Sequence, residues 1–303
     1  MRFWAGVPGL LEVKAITQPW EAALSGRDSL AVAKLIDSLG FYGVSVSEHF
    51  LTASSQVDLT GNRWFDGSTA QAAIAGATER VVINTLLTIL PLHHPVEMAK
   101  SLATVDWFSG GRAAVTFGVG WQAEEYAAMN VDFATRGRRA DECLEAIFEL
   151  WHAEDPEFHG EFFDFAEVKF GPKPLQSPHP PVWMGGDADR VLRRAARFAD
   201  GWAPWLTAPE DIPKKLDLVF SDSAYDGREF SVFCSLGARN VGEGHEVVDA
   251  HRASRNLDAV LSELGMLAEL GVTDTSVPVP PCRDRAEYEE HLAWVAEEVI
   301  PAA

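Results

Sequence analysis

Short apolar runs alternate with longer stretches of helical spacing from one end of the chain to the other. Residues 3–7 predict a first strand. Apolar side chains at 30, 32, 35, 36 and 39 recur at the helical period and stop at Gly40, which predicts a helix over 29–39. Residues 43–46 predict the second strand, running into Ser47-Glu48-His49-Phe50. An Ala-rich helix over 69–77 and a β-branched strand over 81–87 follow. Pro95 opens the next helix in its first turn, where a missing N–H costs nothing, and that helix runs to about Phe108.

The second half repeats the scheme. A fourth strand is predicted over 113–117 and a helix over 138–151, with Leu144, Ile147, Phe148 and Trp151 on one side. Residues 153–180 break the pattern with five phenylalanines set among Gly and Pro. A stretch of that length in a compact chain usually serves a function, and it predicts a short β excursion acting as a lid or interface element. Strands over 182–184, 201–205, 230–236 and 273–277 then alternate with helices over 189–198, 211–220, 257–270 and 285–299. Eight strands joined by right-handed helical crossovers close into a parallel barrel. The expected fold is therefore α/β, a (β/α)8 barrel over residues 1–303 with an insertion after the fourth strand–helix unit. The competing reading is an open doubly wound sheet. It is weakened because Gly118-Val119-Gly120 lacks the third glycine and the acid of a dinucleotide fingerprint.

Composition narrows the function classes. At 303 residues and 47% apolar content the chain builds a core without disulfides. Its three cysteines show no metal or redox spacing and read as free thiols in a reducing compartment, the cytoplasm. A net charge of −20 argues against nucleic acid and against an anionic membrane. The N-terminal residues do not read as a signal peptide, and no run is long enough to predict a transmembrane helix.

Chemistry in such a barrel gathers at the C-terminal ends of the strands. Glu48 and His49 directly follow the second strand, an acid and a neutral-range base placed to handle protons or simply to hydrogen-bond the rim. His93-His94-Pro95 lacks further ligands at metal spacing and reads as a helix entry, so no metal site is expected. Gly120 and Trp121 end the fourth strand. Gly185-Gly186-Asp187 ends the fifth and opens a helix, where free N–H groups suit a phosphate and an Asp cap would look the same. Trp202 and Trp205 bring further indoles near strand ends.

Read in order, Glu48-His49, Asp106-Trp107-Phe108-Ser109-Gly110-Gly111-Arg112, Gly118-Val119-Gly120-Trp121 with Glu124-Glu125, Gly185-Gly186 and Ala199-Asp200-Gly201-Trp202 resemble the bacterial luciferase-like flavin oxidoreductases. The likeness covers roughly residues 30–205 and is greatest to the branch using the deazaflavin coenzyme F420. It implies an isoalloxazine-like ring across the barrel mouth and a bulge or non-prolyl cis peptide behind it near Thr85-Leu86. It places Glu48 and His49 beside the reactive edge, with Glu48 orienting His49. Trp121 would line the ring, and Gly185, Gly186 and Asp187 would lie at the cofactor phosphate. It also implies a homodimer. Two positions depart from the branch that acts on sugar phosphates: Ala53 replaces an aromatic four places after the histidine, and Ala123 replaces an acid beyond the Gly-x-Gly turn. The expected activity is hydride transfer between F420 and a small organic substrate. An FMN-dependent monooxygenase with a dry pocket under residues 158–170, and a cofactor-binding protein without catalysis, are the alternatives.

Overall fold

The computed structural model describes residues 1–14, 16–235 and 256–303. Its strands are β1 Arg2–Gly6, β2 Gly43–Val46, β3 Val82–Ile89, β4 Ala113–Gly118, β5 Phe158–His159, β6 Asp164–Phe165, β7 Val182–Gly185, β8 Gly201–Ala203, β9 Ser231–Val232 and β10 Asp274–Thr275. All but β5 and β6 pair in parallel, in the order β10-β1-β2-β3-β4-β7-β8-β9. A parallel bridge between Phe233 and Asp274 joins the two ends of that order, and the Cys234 N–H donates to the Asp274 carbonyl at 2.9 Å. The result is a nearly closed (β/α)8 barrel and not an open sheet.

The crossovers are made by α1 Gly26–Leu39, α3 Gly67–Ala77, α4 Pro95–Ser109, α6 Arg136–His152, α7 Asp189–Phe198, α8 Ile212–Phe220 and α9 Leu257–Glu269, and α10 Arg285–Trp294 follows the last strand. Two short helices, α2 Val57–Thr60 and α5 Ala123–Ala128, lie in loops and carry too few residues for a period to show. The closing helix continues beyond Trp294 as one π turn over Val295–Val299. β8 stops at Ala203, before the expected Trp205. Pro204 follows, and the N–H groups of 205–207 turn to the Asp187 carboxylate instead of a ladder. β9 is shorter than the predicted 230–236, of which Leu236 lies outside the described residues.

Glycines set the barrel's interior. Trp4, Trp183, Phe233 and Ala203 cluster inside it, with the indoles of Trp4 and Trp183 edge to face at 5.5 Å. A Cβ on Gly43 would sit 2.4 Å from the Trp4 ring, and one on Gly201 2.6 Å from the Trp183 ring. Each tryptophan thus occupies the place of a side chain its neighbouring strand lacks. The opposite strand faces carry Val44, Ile83, Val115 and Val182 into the shell of helices.

The N-terminal end of the barrel is held by charged side chains on backbone groups. Arg112 donates to the carbonyls of Ala75 and Thr78 at the end of α3 and to Ser109 and Val81. Asp106 accepts from Leu175, Gln176 and the Gln176 amide. Gly110 and Gly111 between them have φ of 70° and 86°, a turn that suits glycine. The Asp106–Arg112 stretch of the ordered motif set is therefore scaffold.

The insertion is a hairpin, β5 against β6, followed by an extended strap. Glu142 of α6 accepts from the N–H groups of Glu161, Phe162 and Phe163. Phe163 lies beneath Arg139, 4.5 Å from its guanidinium, and the strap ends on Asp106. Lys173 donates to the last carbonyls of α6. The segment braces α4 and α6 from outside, which corrects the expectation of a lid over a pocket under residues 158–170.

Candidate active site

The loop after β2 carries Ser47 to Phe50 across the mouth. His49 is nearly buried, and its Nδ1 lies 2.9 Å from Glu125 Oε2 on α5. The other Glu125 oxygen accepts from the Phe50 N–H at 2.7 Å and the Leu51 N–H at 3.2 Å. One buried carboxylate therefore fixes both the ring and the backbone that carries it. Gln122, one helical turn earlier, accepts from the Ala53 N–H at 2.9 Å and reaches to 3.4 Å from His49 Nδ1. Trp64 meets the imidazole edge-on at 4.6 Å, and Trp121 does so at 6.4 Å. His49 Nε2 has no hydrogen bond among the described residues.

Glu48 does not orient His49. Its buried carboxylate accepts from the Ile89 N–H at 3.0 Å and the Gly67 N–H at 3.3 Å, and meets His93 Nε2 at 2.7 Å. It ties the end of β3 to the start of α3, and the alternation of the chain explains why: in an extended segment, neighbours such as 48 and 49 point to opposite sides. The partner of His49 is Glu125, which sequence reasoning did not pair with it. The available signal was the three-residue interval from Gln122 to Glu125, which sets both on one helical face.

The cis peptide lies between Leu86 and Leu87, one bond beyond the expected place, with a register shift between Leu86 and Thr88. Ser47 Oγ donates to the Leu86 carbonyl. Thr85 is buried, and its hydroxyl accepts from Thr88 at 2.8 Å, while Leu86 and Leu87 remain partly open. Leu87 explains two of the glycines. A Cβ on Gly118 or Gly185 would fall 2.7 or 2.8 Å from its methyl groups. Gly120, at φ 62°, would meet Ile89 at 2.8 Å, and it hands the chain to Trp121, which is half exposed.

The Gly186-Asp187 turn is engaged within the fold. The Gly186 N–H donates to the Ala203 carbonyl at 3.1 Å, and the Asp187 carboxylate receives the N–H groups of residues 205–207 and the Thr207 hydroxyl. Just beyond, α7 begins at Asp189 behind Ala188, with no side-chain cap on its first N–H groups. His94 and Pro95 form the entry to α4, the His94 ring accepting from the Val96 N–H. No group of three or more His, Cys, Asp or Glu among the described residues is placed to hold a metal ion. No helix among them is long and apolar enough to cross a membrane.

Residues 14–275 match the luciferase-like monooxygenase family. The chain belongs to that family. An uncharacterised protein of Mycobacterium tuberculosis is 30% identical over 288 residues, covering 88% of this chain and 93% of the relative. The FMNH2-dependent dimethylsulfone monooxygenase of Pseudomonas putida is 31% identical over 191 residues, covering 60% of this chain and 52% of that enzyme. Among solved structures, an F420-dependent secondary alcohol dehydrogenase superposes with a TM-score of 0.74 at 16% identity, over 100% of this chain and 99% of that one. That identity speaks for the fold alone. Membership makes the chain one of the luciferase-like oxidoreductases and monooxygenases, whose relatives use F420 or FMN.

Proposed function

We propose that the chain is an oxidoreductase transferring hydride between coenzyme F420 and a small organic substrate. His49 would serve as proton donor or acceptor to that substrate. The observation that carries this reading is the His49–Glu125 pair beside the half-exposed Trp121. With Glu125 on Nδ1, the assigned tautomer leaves Nε2 as the free acceptor, and the carboxylate steadies the ring once it is protonated.

Open space at the mouth supports a flat ring there. Gly6 pairs in register with Ser45, and a Cβ on Gly6 would meet nothing within 4 Å, so small side chains leave space above the strand ends. Leu86 and Leu87 would back the ring and Trp121 would flank it. With the Gly186 N–H already bonded, the first turn of α7, uncapped after Ala188, is the better candidate for the cofactor phosphate, next to the expected Gly185-Gly186. When bound, the deazaflavin supplies a two-electron hydride carrier. The chain's part is to hold the substrate, exclude water and move the proton at His49 Nε2.

FMN-dependent oxygenation is the second reading, favoured by the FMNH2-dependent relative from Pseudomonas putida. Absorbance titration of the purified protein with F420 and with FMN separates the two, and binding of neither removes both. His49→Ala should leave cofactor affinity unchanged and lower turnover by about 100-fold or more, the usual contribution of a positioned acid–base group. Unchanged turnover would remove His49 from the mechanism. A cytoplasmic homodimer belongs to the same reading, and light scattering on the purified protein tests its oligomeric part.

A further inference from the structure

Beside the His49–Glu125 pair lies a recess of about 460 Å³, formed by residues 51–55 on one side and Glu124 and Glu125 on the other. Its volume falls in the range of small-molecule sites. Its wall shares Glu125 with the proposed reacting centre. Glu125 binds His49 and the Phe50 and Leu51 N–H groups, and Gln122 binds the Ala53 N–H. The two acids differ sharply. Glu125 is buried with both oxygens engaged, whereas Glu124 is exposed and has no salt bridge or hydrogen bond among the described residues. The remaining lining is Leu51, Ala53 and the hydroxyl residues Thr52, Ser54 and Ser55, with no lysine, arginine or histidine among the described residues that line it. Ala53 is a small, buried residue of this lining, and the Thr52 hydroxyl is buried without a partner.

We propose that this recess seats the non-reacting end of the substrate, and that Glu124 selects for neutral or cationic ends over carboxylate, sulfonate and phosphate. The proposal rests on His49 marking the reacting centre. A lone carboxylate attracts a positive group and repels an anion at the same spot. The chain's net charge of −20 adds a field of the same sign. Glu124 stands in the first turn of α5, where an acid also favours the helix end. That role alone would give no ranking among ligands.

Three probes of nearly equal shape test it: choline, its uncharged isostere 3,3-dimethylbutan-1-ol, and 3,3-dimethylbutanoate. Their affinities are measured by calorimetry on the full chain at low salt. Choline should bind about threefold more tightly than the alcohol, as expected for one exposed charge pair, and the carboxylate most weakly. Glu124→Gln should level choline with the alcohol, and Glu124→Lys should favour the carboxylate. Both variants should bind the cofactor as the parent does. The same order in parent and Glu124→Gln, a preference for the carboxylate in the parent, or no binding of any probe would overturn the proposal. Cofactor titration run in parallel separates the two readings. Cofactor binding without the ranking rejects the recess alone. The ranking without cofactor binding rejects the hydride-transfer reading and leaves the recess a charge-selective site.

Discussion

At the scale of single residues, the candidate site turns on which carboxylate meets which histidine. Two acids and two histidines form two separate pairs, Glu48 with His93 and Glu125 with His49. Adjacency in sequence pointed to Glu48 and His49 as one unit. Alternation along the backbone breaks that unit, so position 48 was legible as important but not in its role. Glu125 accepts from two backbone N–H groups as well as from His49, and its loss therefore acts on both chemistry and stability. Glu125→Gln keeps the shape but turns one acceptor oxygen into a donor facing an N–H or the imidazole. Such a change should cost about 1–3 kcal/mol, the usual penalty for a buried hydrogen-bonding group left without its partner. It should also lower kcat without weakening cofactor binding, because the imidazole loses the acceptor that holds it in place. Chemical denaturation together with turnover and cofactor titration reads both effects. A stability loss with unchanged kcat would leave Glu125 a structural residue only.

At the scale of elements, helices and strands with several turns were readable from period alone, and their ends were less so. The ends are set by side chains that reach across the fold. Asp37, near the end of α1, accepts from the N–H groups of Glu79, Arg80 and Val81 at 3.0, 2.8 and 2.8 Å, and so fixes where β3 begins. No local pattern at residue 37 announces that contact more than 40 residues away. Burial pushes this carboxyl up, but the three backbone donors and nearby Arg80 together outweigh it and hold it below the ordinary carboxylate range. The folded state therefore binds the Asp37 proton less readily than the unfolded chain. The resulting stability is fully present above the unfolded value, about 3.9, and is lost as pH falls through the lower folded value. Asp37→Asn should be less stable than the parent at neutral pH, and the gap should narrow steadily below about pH 4. Urea midpoints measured from pH 7 down to pH 2.5 check this. A gap that stays constant with pH would mean that the charge on Asp37 contributes nothing.

At the scale of the whole molecule, the barrel was legible because eight apolar runs alternate with helices, and that alternation survives modest errors at every boundary. The interior packing was not legible, because strand glycines look alike in sequence whether they face a ligand, a turn or a neighbour's ring. Gly118 and Gly185 make room for Leu87, whereas Gly43 and Gly201 make room for indoles. Barrel closure relies on the same interior. Trp4 Nε1 donates to Asp274 at 2.8 Å, and Arg2 meets that carboxylate at 2.6 Å. The first strand is thus bound to the last through a side chain whose ring lies over Gly43. Gly43→Ala would force a methyl to within 2.4 Å of the Trp4 ring, and the ring cannot withdraw without straining its bond to Asp274. Overpacking of this kind should cost about 1–3 kcal/mol and lower the thermal midpoint by several degrees. Trp4→Phe in the same chain should recover part of the loss, since the smaller ring frees the space although it gives up the indole N–H. The double variant should therefore be more stable than the sum of the two single changes. Simple additivity in thermal or urea unfolding would show that the Trp4 ring does not fill the space over Gly43, and that the barrel closes by some other packing.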